Sequence, residues 1–137
     1  MSNPLYTAEV TATGGRDGHV KSSDGKIDLA VNKPESMGGN GQGTNPEQLF
    51  ASAWSACFLG AMHAVSEKDN VDLKDAQVKV KVSFHAENNA FFLSAEIQSH
   101  VPSLSQDQTQ QLIEKAHRVC PYSKAIKGNV EVNLKAI

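Results

Sequence analysis

The feature that most constrains the fold is one long and almost uncharged apolar segment, residues 44–65. Its start is typical of a helix N-terminus: Asn45 can cap, Pro46 suits the first helical position, and Glu47 suits the positive first turn. At 100° per residue, the apolar side chains cover well over half of the helix circumference. We therefore expect a helix that is buried on most of its sides.

The same segment raises the question of a membrane span, and its charges argue against one. Glu47 and His63 lie within it, and the charged run at residues 67–69 closes it. Residues 1–6 show neither a basic region nor an apolar core, so no signal peptide is predicted and we expect a cytoplasmic protein. A net charge of −2 without a basic stripe argues against nucleic acid as a partner.

The rest of the chain predicts an α+β fold with a single domain over residues 1–137. A second helix is expected from Ser105 to Val119, ending because Pro121 cannot continue it. Antiparallel sheet packed on these helices would leave part of the central helix uncovered, so we expect a second subunit to cover it. The strands are predicted from alternation and β-rich composition over residues 4–13, 19–23, 27–31, 78–84, 91–98 and 130–134.

A glycine-rich loop, residues 32–45, delivers the chain to the central helix. Such a loop before a helix N-terminus can hold a phosphate group. This loop lacks the Lys-Ser/Thr pair of a P-loop and the spacing of dinucleotide-binding loops. Phosphate binding is therefore only weakly supported.

The two cysteines are the first candidates for chemistry. Cys57 lies in the middle of the apolar helix, and on its own it is most simply a small buried apolar residue. Cys120 opens Cys-Pro-Tyr-Ser at the end of the second helix. In a reducing cytosol, two cysteines are more often redox-active, metal-binding or inert than a structural disulfide. If the core brings them together, one sulfur can react and the other can resolve it.

Zinc binding is the alternative use of the same residues. His117 and Cys120 share a helical face, and Cys57 could supply a third ligand. His63 would lie roughly 240° around the helix from Cys57 and would point elsewhere. No Cys-x-x-Cys motif is present, which weakens the zinc interpretation.

A reactive thiol needs a nearby positive charge, and Arg16 is the candidate. It lies in the glycine-rich turn 14–18, either as a solvated residue or as a guanidinium held over the site by a carboxylate, for which Glu47 is the natural partner. In a straight helix, Glu47 and Cys57 are roughly 15 Å apart. Either the helix is broken near residues 51–53, or Arg16 contacts only one of Glu47 and Cys57.

Seven short motifs between Gly14 and Asn129 carry a family resemblance that runs from about Tyr6 to Leu134. They are Gly14-Gly15-Arg16, Ser22-Ser23-Asp24-Gly25, Thr44-Asn45-Pro46-Glu47-Gln48-Leu49-Phe50-Ala51, Ala56-Cys57-Phe58, Glu114-Lys115-Ala116-His117, Val119-Cys120-Pro121-Tyr122-Ser123 and Gly128-Asn129. In this order they resemble the organic hydroperoxide resistance (Ohr) proteins of the OsmC/Ohr superfamily. Val-Cys-Pro-Tyr-Ser favours the Ohr branch over the osmotically induced OsmC branch. The chain departs from the family at Ala53-Trp54, which bears on the substrate pocket, and at residues 124–129.

The resemblance implies an OsmC-like fold, with antiparallel sheets packed around long central helices in an intertwined homodimer. It implies a cysteine-based peroxidase that reduces alkyl and fatty-acid hydroperoxides to alcohols in defence against peroxide stress, with its active sites at the subunit interface. By position, Cys57 is the peroxidatic cysteine, Cys120 resolves it, Arg16 activates the thiolate, and Glu47 pairs with Arg16. The family uses dihydrolipoyl groups of partner proteins as reductant, and no bound cofactor or metal is expected.

The residue chemistry agrees with this interpretation. A Cys57 thiolate would release the alcohol and become a sulfenic acid, which condenses with Cys120 to a disulfide. The apolar lining should favour organic hydroperoxides over hydrogen peroxide. Two alternatives stay open, an OsmC-type peroxidase acting mainly on hydrogen peroxide and a non-catalytic dimer that binds an apolar ligand. The lining candidates are Phe50, Trp54, Phe58 and Met62.

Overall fold

A computed structural model of the protein describes residues 2–137. This part of the chain forms two three-stranded sheets, three α-helices and two short 3-10 turns. It falls into two compact units, divided between Leu49 and Phe50, and each contains one sheet. The predicted α+β class and the order of elements are confirmed, apart from a short additional helix before the last strand. The single domain over residues 1–137 stays a prediction.

The first unit contains the predicted three-stranded meander. Its strands are β1 (Val10–Thr13), β2 (Gly18–Ser22) and β3 (Asp28–Val31), in the order β1-β2-β3 with antiparallel pairing. The strand predicted over residues 4–13 forms only over its last four residues. The reason is the pairing partner: β2 is short, and its register reaches only Val10–Thr13.

The glycine-rich loop returns to β3 before it enters the central helix. The Asn32 N–H donates to the Thr44 carbonyl (2.9 Å), and the Thr44 N–H donates to the Ala30 carbonyl (3.0 Å). Gly43 is needed at this crossing, because a Cβ there would lie 2.5 Å from the Ala30 oxygen. The loop therefore delivers the start of the helix from a fixed position beside β3.

The central helix α1 spans Pro46–Ser66 without a break, so the alternative of a broken helix near residues 51–53 does not apply. Its N-terminus is capped as predicted, because Asn45 Oδ1 accepts the Gln48 N–H at 2.9 Å. By length and composition alone, residues 46–69 could cross a membrane. The core helix of a soluble protein meets the same two criteria. Only 28% of its most apolar window is buried within this chain.

The second unit contains a mixed sheet covered by helices. Strands β4 (Gln77–Glu87) and β5 (Ala90–His100) form a long antiparallel hairpin, and β6 (Glu131–Ala136) pairs in parallel with β5. The expectation of wholly antiparallel sheet is wrong at this edge. Helices α2 (Gln106–Val119) and α3 (Pro121–Ile126) form the connection from β5 to β6, and a helical crossover returns the chain to the same end of the sheet.

The boundaries of α2 follow the sequence signals. Ser105 Oγ accepts the Gln108 N–H, and the Gln108 side chain accepts the Ser105 N–H in return, which is a complete capping box. The helix ends at Val119, and Pro121 begins α3 instead of continuing α2. Cys120 is therefore the single residue that joins the two helices.

The core of the second unit is built on one face of α1. Trp54, Phe58 and Met62 are spaced one turn apart and are fully buried. The Trp54 indole N–H donates to Ser123 Oγ at 3.1 Å, and both residues are buried. The other fully buried apolar side chains of this core are Ile97, Val101, Ile113, Ala116 and Cys120.

The Trp54–Ser123 hydrogen bond gives a test of this core. We expect Trp54→Phe and Ser123→Ala each to destabilise the fold, with a coupling energy of about 1 kcal/mol in a double-mutant cycle, because each single variant removes one partner of a buried hydrogen bond. The measurement is urea unfolding followed by circular dichroism. Strictly additive effects of the two substitutions would contradict the contact.

Candidate active site

The two cysteines lie next to each other. Cys120 Sγ is 3.9 Å from Cys57 Sγ, and both thiols are free. Cys120 is completely buried and Cys57 is partly exposed. Because a disulfide needs an S–S distance of about 2.05 Å, a local shift of about 2 Å would join them. The arrangement thus allows one exposed sulfur to react and a protected sulfur to resolve it.

Each cysteine is positioned by a different element of the second unit. Cys57 lies near the middle of α1, one residue before the buried Phe58. Cys120 lies at the junction of α2 and α3, where its N–H donates to the Ala116 carbonyl and its carbonyl accepts the Lys124 N–H. Both backbone bonds hold Cys120 within the helical network, so its sulfur is fixed by the fold.

The immediate surroundings of Cys57 do not favour a thiolate. Burial raises the pKa of the Cys57 thiol, and the hydrogen bond and charge of Cys120 raise it further. The backbone N–H of Tyr122 acts in the opposite direction and lowers the pKa. This N–H had no sequence signal, because it is a backbone group presented by the turn into α3. A reactive Cys57 therefore needs a positive charge that these immediate neighbours do not supply.

In the first unit, Arg16 and Glu47 form a two-pronged ion pair. Arg16 Nη1 donates to Glu47 Oε2 at 3.0 Å, and Nη2 donates to Oε1 at 2.7 Å. The hydrogen bonds from Arg16 lower the pKa of the Glu47 carboxyl, and those to Glu47 raise the pKa of the guanidinium. The contact predicted from residue type is therefore present, with both groups partly buried and charged.

The turn that carries Arg16 is shaped by its neighbours. A Cβ at Gly18 would lie 1.9 Å from the Thr13 carbonyl oxygen, so only glycine fits there. Asp17 Oδ1 accepts the N–H of Lys33 at 3.1 Å, which ties the turn to the glycine-rich loop. The same loop leads into the helix that carries Glu47. Both partners of the ion pair are thus held by one connected segment.

The apolar residues predicted to line a substrate pocket belong largely to the core. Trp54, Phe58 and Met62 are fully buried, and Phe50 is partly buried. The Phe50 ring packs edge-to-face on Trp54, with ring centroids 5.5 Å apart. These side chains belong to the same apolar cluster as Cys57 and Cys120. Their contact with a substrate stays a prediction.

His117, a candidate ligand in the zinc alternative, is partly buried. Its ring lies 6.4 Å from that of Phe58, and Nδ1 is buried without a hydrogen-bond partner among the described residues. Burial lowers the pKa of His117, and the charge of Lys127 lowers it further. Residues 2–137 contain no group of three or more His, Cys, Asp or Glu side chains placed to hold a metal ion. The zinc alternative therefore has no assembled ligand set in the described chain.

The sequence is similar to those of one family and of several known proteins. The family model for OsmC-like protein matches residues 39–135. An organic hydroperoxide resistance protein from Xanthomonas axonopodis pv. citri is 44% identical over 139 residues, which covers 98% of each chain.

Solved structures agree. An organic hydroperoxide resistance protein from Legionella pneumophila superposes with a TM-score of 0.91 at 41% identity, covering 98% of each chain. The organic hydroperoxide resistance protein OhrB of Bacillus subtilis superposes with a TM-score of 0.88 at 38% identity. The superposition covers 98% of this chain and 100% of the OhrB chain. The α+β architecture predicted from sequence is that of these proteins. The chain belongs to the OsmC family, on its organic hydroperoxide resistance branch.

Proposed function

We propose that this protein is a cysteine-based peroxidase that reduces organic hydroperoxides to alcohols in the cytoplasm. The observation that carries the proposal is the thiol pair: Cys57 and Cys120 are 63 residues apart in sequence and 3.9 Å apart in space. The relatives named organic hydroperoxide resistance proteins support a role in peroxide defence. The pair supplies the two electrons that this reaction needs.

The reaction has two steps on this chain. The Cys57 thiolate attacks the terminal peroxide oxygen of ROOH, the O–O bond breaks, and ROH leaves after taking a proton, which leaves Cys57 as a sulfenic acid. The Cys120 thiol then attacks the Cys57 sulfur, a disulfide forms and water leaves. Cys120 needs no solvent exposure for this second step, because its target sulfur is already adjacent.

Arg16 would supply the positive charge that the thiol pair lacks. A guanidinium beside the sulfur favours the thiolate and stabilises the leaving alkoxide oxygen. The Glu47 fork orients Arg16 and keeps it charged in a partly buried position. Glu47 and Cys57 are ten residues apart on an unbroken helix, about 15 Å along its axis. We therefore assign this Arg16–Glu47 pair to Cys57 of the partner subunit in a homodimer.

The uncovered face of α1 supports the homodimer. Phe50, Ala53, Cys57, Gly60 and Ala64 follow one another at spacings of three and four residues, and all are partly or fully exposed in the single chain. A Cβ added at Gly60 would point into open space, away from the rest of the chain. Small residues in such a row allow a second helix to approach closely. A second copy of α1 would bury this apolar face and bring two sites to one interface.

The apolar environment of the thiol pair supports organic hydroperoxides as substrates. Phe50 and Cys57 are partly buried and pack against an apolar core, so the surroundings of the thiol suit an alkyl group better than a small polar peroxide. An external dithiol, of the dihydrolipoyl class, would reduce the disulfide after each cycle, and no bound cofactor takes part in the proposed steps. Because Cys57 and Cys120 are placed for redox chemistry, this function is favoured over a binding module without catalysis.

Cysteine variants test the proposed function. We expect Cys57→Ser to lose reduction of cumene hydroperoxide by about 10³-fold or more, because no other sulfur can attack the peroxide. Cys120→Ser should complete a single turnover and leave a Cys57 sulfenic acid that dimedone traps, detected by mass spectrometry. Ser55→Ala on the same helix is the matched control and should behave as wild type. An active Cys57→Ser protein would contradict the proposal.

The same assays separate the substrate alternatives. Faster turnover of cumene hydroperoxide than of hydrogen peroxide by the wild-type protein supports the organic hydroperoxide assignment. The reverse preference would favour an enzyme that acts mainly on hydrogen peroxide.

The assignment of Arg16 to the partner's thiol has its own test. We expect Arg16→Ala and Cys57→Ser homodimers each to be inactive, and mixing them under subunit exchange to restore about a quarter of wild-type activity, since half of the dimers then hold one intact site. The measurement is peroxide consumption before and after exchange, with unmixed samples as controls. Exchange confirmed by native mass spectrometry without recovered activity would place Arg16 and Cys57 in the same chain.

A further inference from the structure

His117 is a titratable side chain beside the thiol pair that the proposed reaction does not use. It lies in the last turn of α2, three residues before Cys120, so the two side chains share one face of the helix. Its ring lies 6.4 Å from the ring of Phe58, the buried residue that follows Cys57 on α1. The imidazole therefore packs between the same two elements that hold the sulfur atoms.

The buried nitrogen of this ring is unusual for a folded protein. Nδ1 of His117 is buried and has no hydrogen-bond partner among residues 2–137. Leaving a buried polar atom without a hydrogen bond costs free energy, so such atoms are rare and one explanation for them is a redox or catalytic role. An apolar side chain could pack against Phe58 without this cost. Packing alone therefore does not explain a histidine at this position.

The surroundings of His117 favour the neutral ring, which can take up a proton. Burial lowers the pKa of His117, and the positive charge of Lys127 after α3 lowers it further. The charged neighbours on α2, Glu114 and Arg118, are exposed, and neither forms an ion pair with His117 in the described chain. From α1 the ring meets Phe58, which carries no charge. A neutral imidazole keeps one nitrogen as an acceptor.

The second step of the proposed reaction needs such an acceptor. The Cys120 thiol has to lose its proton before it attacks, because the thiolate is the nucleophile. Cys120 is completely buried, so its sulfur is shielded from water, and its contact at 3.9 Å is the Cys57 sulfur that it attacks. Side chains one helical turn apart have Cβ atoms about 5–6 Å apart, a separation that side-chain rotation can close to a hydrogen bond. His117 has this position.

We propose that His117 takes up the Cys120 proton when the disulfide forms. This inference rests on the proposed function and assigns a residue to its second step. The proton passes from the Cys120 sulfur to Nδ1 of His117, and the Cys120 thiolate attacks the Cys57 sulfur. The S–O bond of the sulfenic acid breaks, and the leaving hydroxide takes the proton from His117 to form water. A sulfenic acid and a thiol thus give a disulfide and water, and His117 returns to its neutral form.

The test separates the two steps of the reaction in time. Reduced protein is mixed with one equivalent of cumene hydroperoxide, samples are quenched with acid at intervals, and intact mass distinguishes the sulfenic acid from the disulfide. The variant is His117→Asn, which keeps a polar group near the position of Nδ1 and cannot act as a base. The matched control is His100→Asn, which changes an exposed histidine of the same unit.

We expect His117→Asn to form the sulfenic acid at the wild-type rate and to convert it to the disulfide about 10²-fold more slowly, a typical loss for a general base. Added imidazole should accelerate the slow step in His117→Ala, because His117 is partly exposed and its loss leaves room for a small base. A purely structural role would not respond to imidazole. The His100→Asn control should match wild type in both steps.

A measurement on the wild-type protein needs no substitution. Because a protonated imidazole accepts no further proton, the rate of disulfide formation should fall as the pH is lowered through the pKa of His117 and should be level above it. NMR of the same protein locates that pKa, which we expect below the ordinary value for histidine.

Three results would overturn the proposal. The first is disulfide formation at the wild-type rate in His117→Asn, and the second is an equal slowing of both steps in that variant. The third is a wild-type rate that keeps rising with pH above the titration of His117. Failure of the underlying function gives a different result, because wild-type protein would then form no sulfenic acid with cumene hydroperoxide.

Discussion

The close approach of Cys57 and Cys120 is the constraint on which the rest of the structure depends. The Trp54 indole donates to Ser123, three residues before one cysteine and three after the other. This buried hydrogen bond fixes α1 against α3 beside the sulfur atoms, so the core packing and the sulfur distance are set together. A substitution that loosens this contact would disturb the chemistry as well as the stability.

Charge and sulfur are supplied by different parts of the chain. Burial raises the pKa of the Cys57 thiol, and Cys120 raises it further. Arg16 lies in the other unit, where Glu47 accepts two hydrogen bonds from its guanidinium. In the homodimer proposed above, Arg16 of one subunit would serve Cys57 of the other, and the exposed apolar face of α1 would become buried.

Local signals predicted most of the elements. The cap at Asn45, the start of α2 at Ser105 and the stop at Pro121 depend on a few neighbouring residues, and each lies where the sequence predicts it. The parallel pairing of β6 was missed because strand direction depends on the whole helical crossover. The shortness of β1 was missed because strand length depends on its partner.

The candidate site was predictable in part, because some of its contacts also follow from the residue types involved. The Arg16–Glu47 contact follows from residue types, since a guanidinium and a carboxylate in otherwise apolar surroundings need each other. The Tyr122 N–H beside Cys57 could not be predicted, because a backbone donor leaves no mark in the sequence. Trp54, Phe58 and Met62 were predicted to line a substrate pocket, and the structure buries all three in the core. Periodicity cannot distinguish core packing from a substrate-binding surface.

The central claim is that an organic hydroperoxide oxidises Cys57 and Cys120 to one disulfide. The most direct measurement treats reduced wild-type protein with one equivalent of cumene hydroperoxide, titrates the remaining thiols, and maps the linked peptides by mass spectrometry. We expect both thiols to be lost in a Cys57–Cys120 linkage that forms faster than with hydrogen peroxide. Two thiols remaining free after exposure to the peroxide would contradict it.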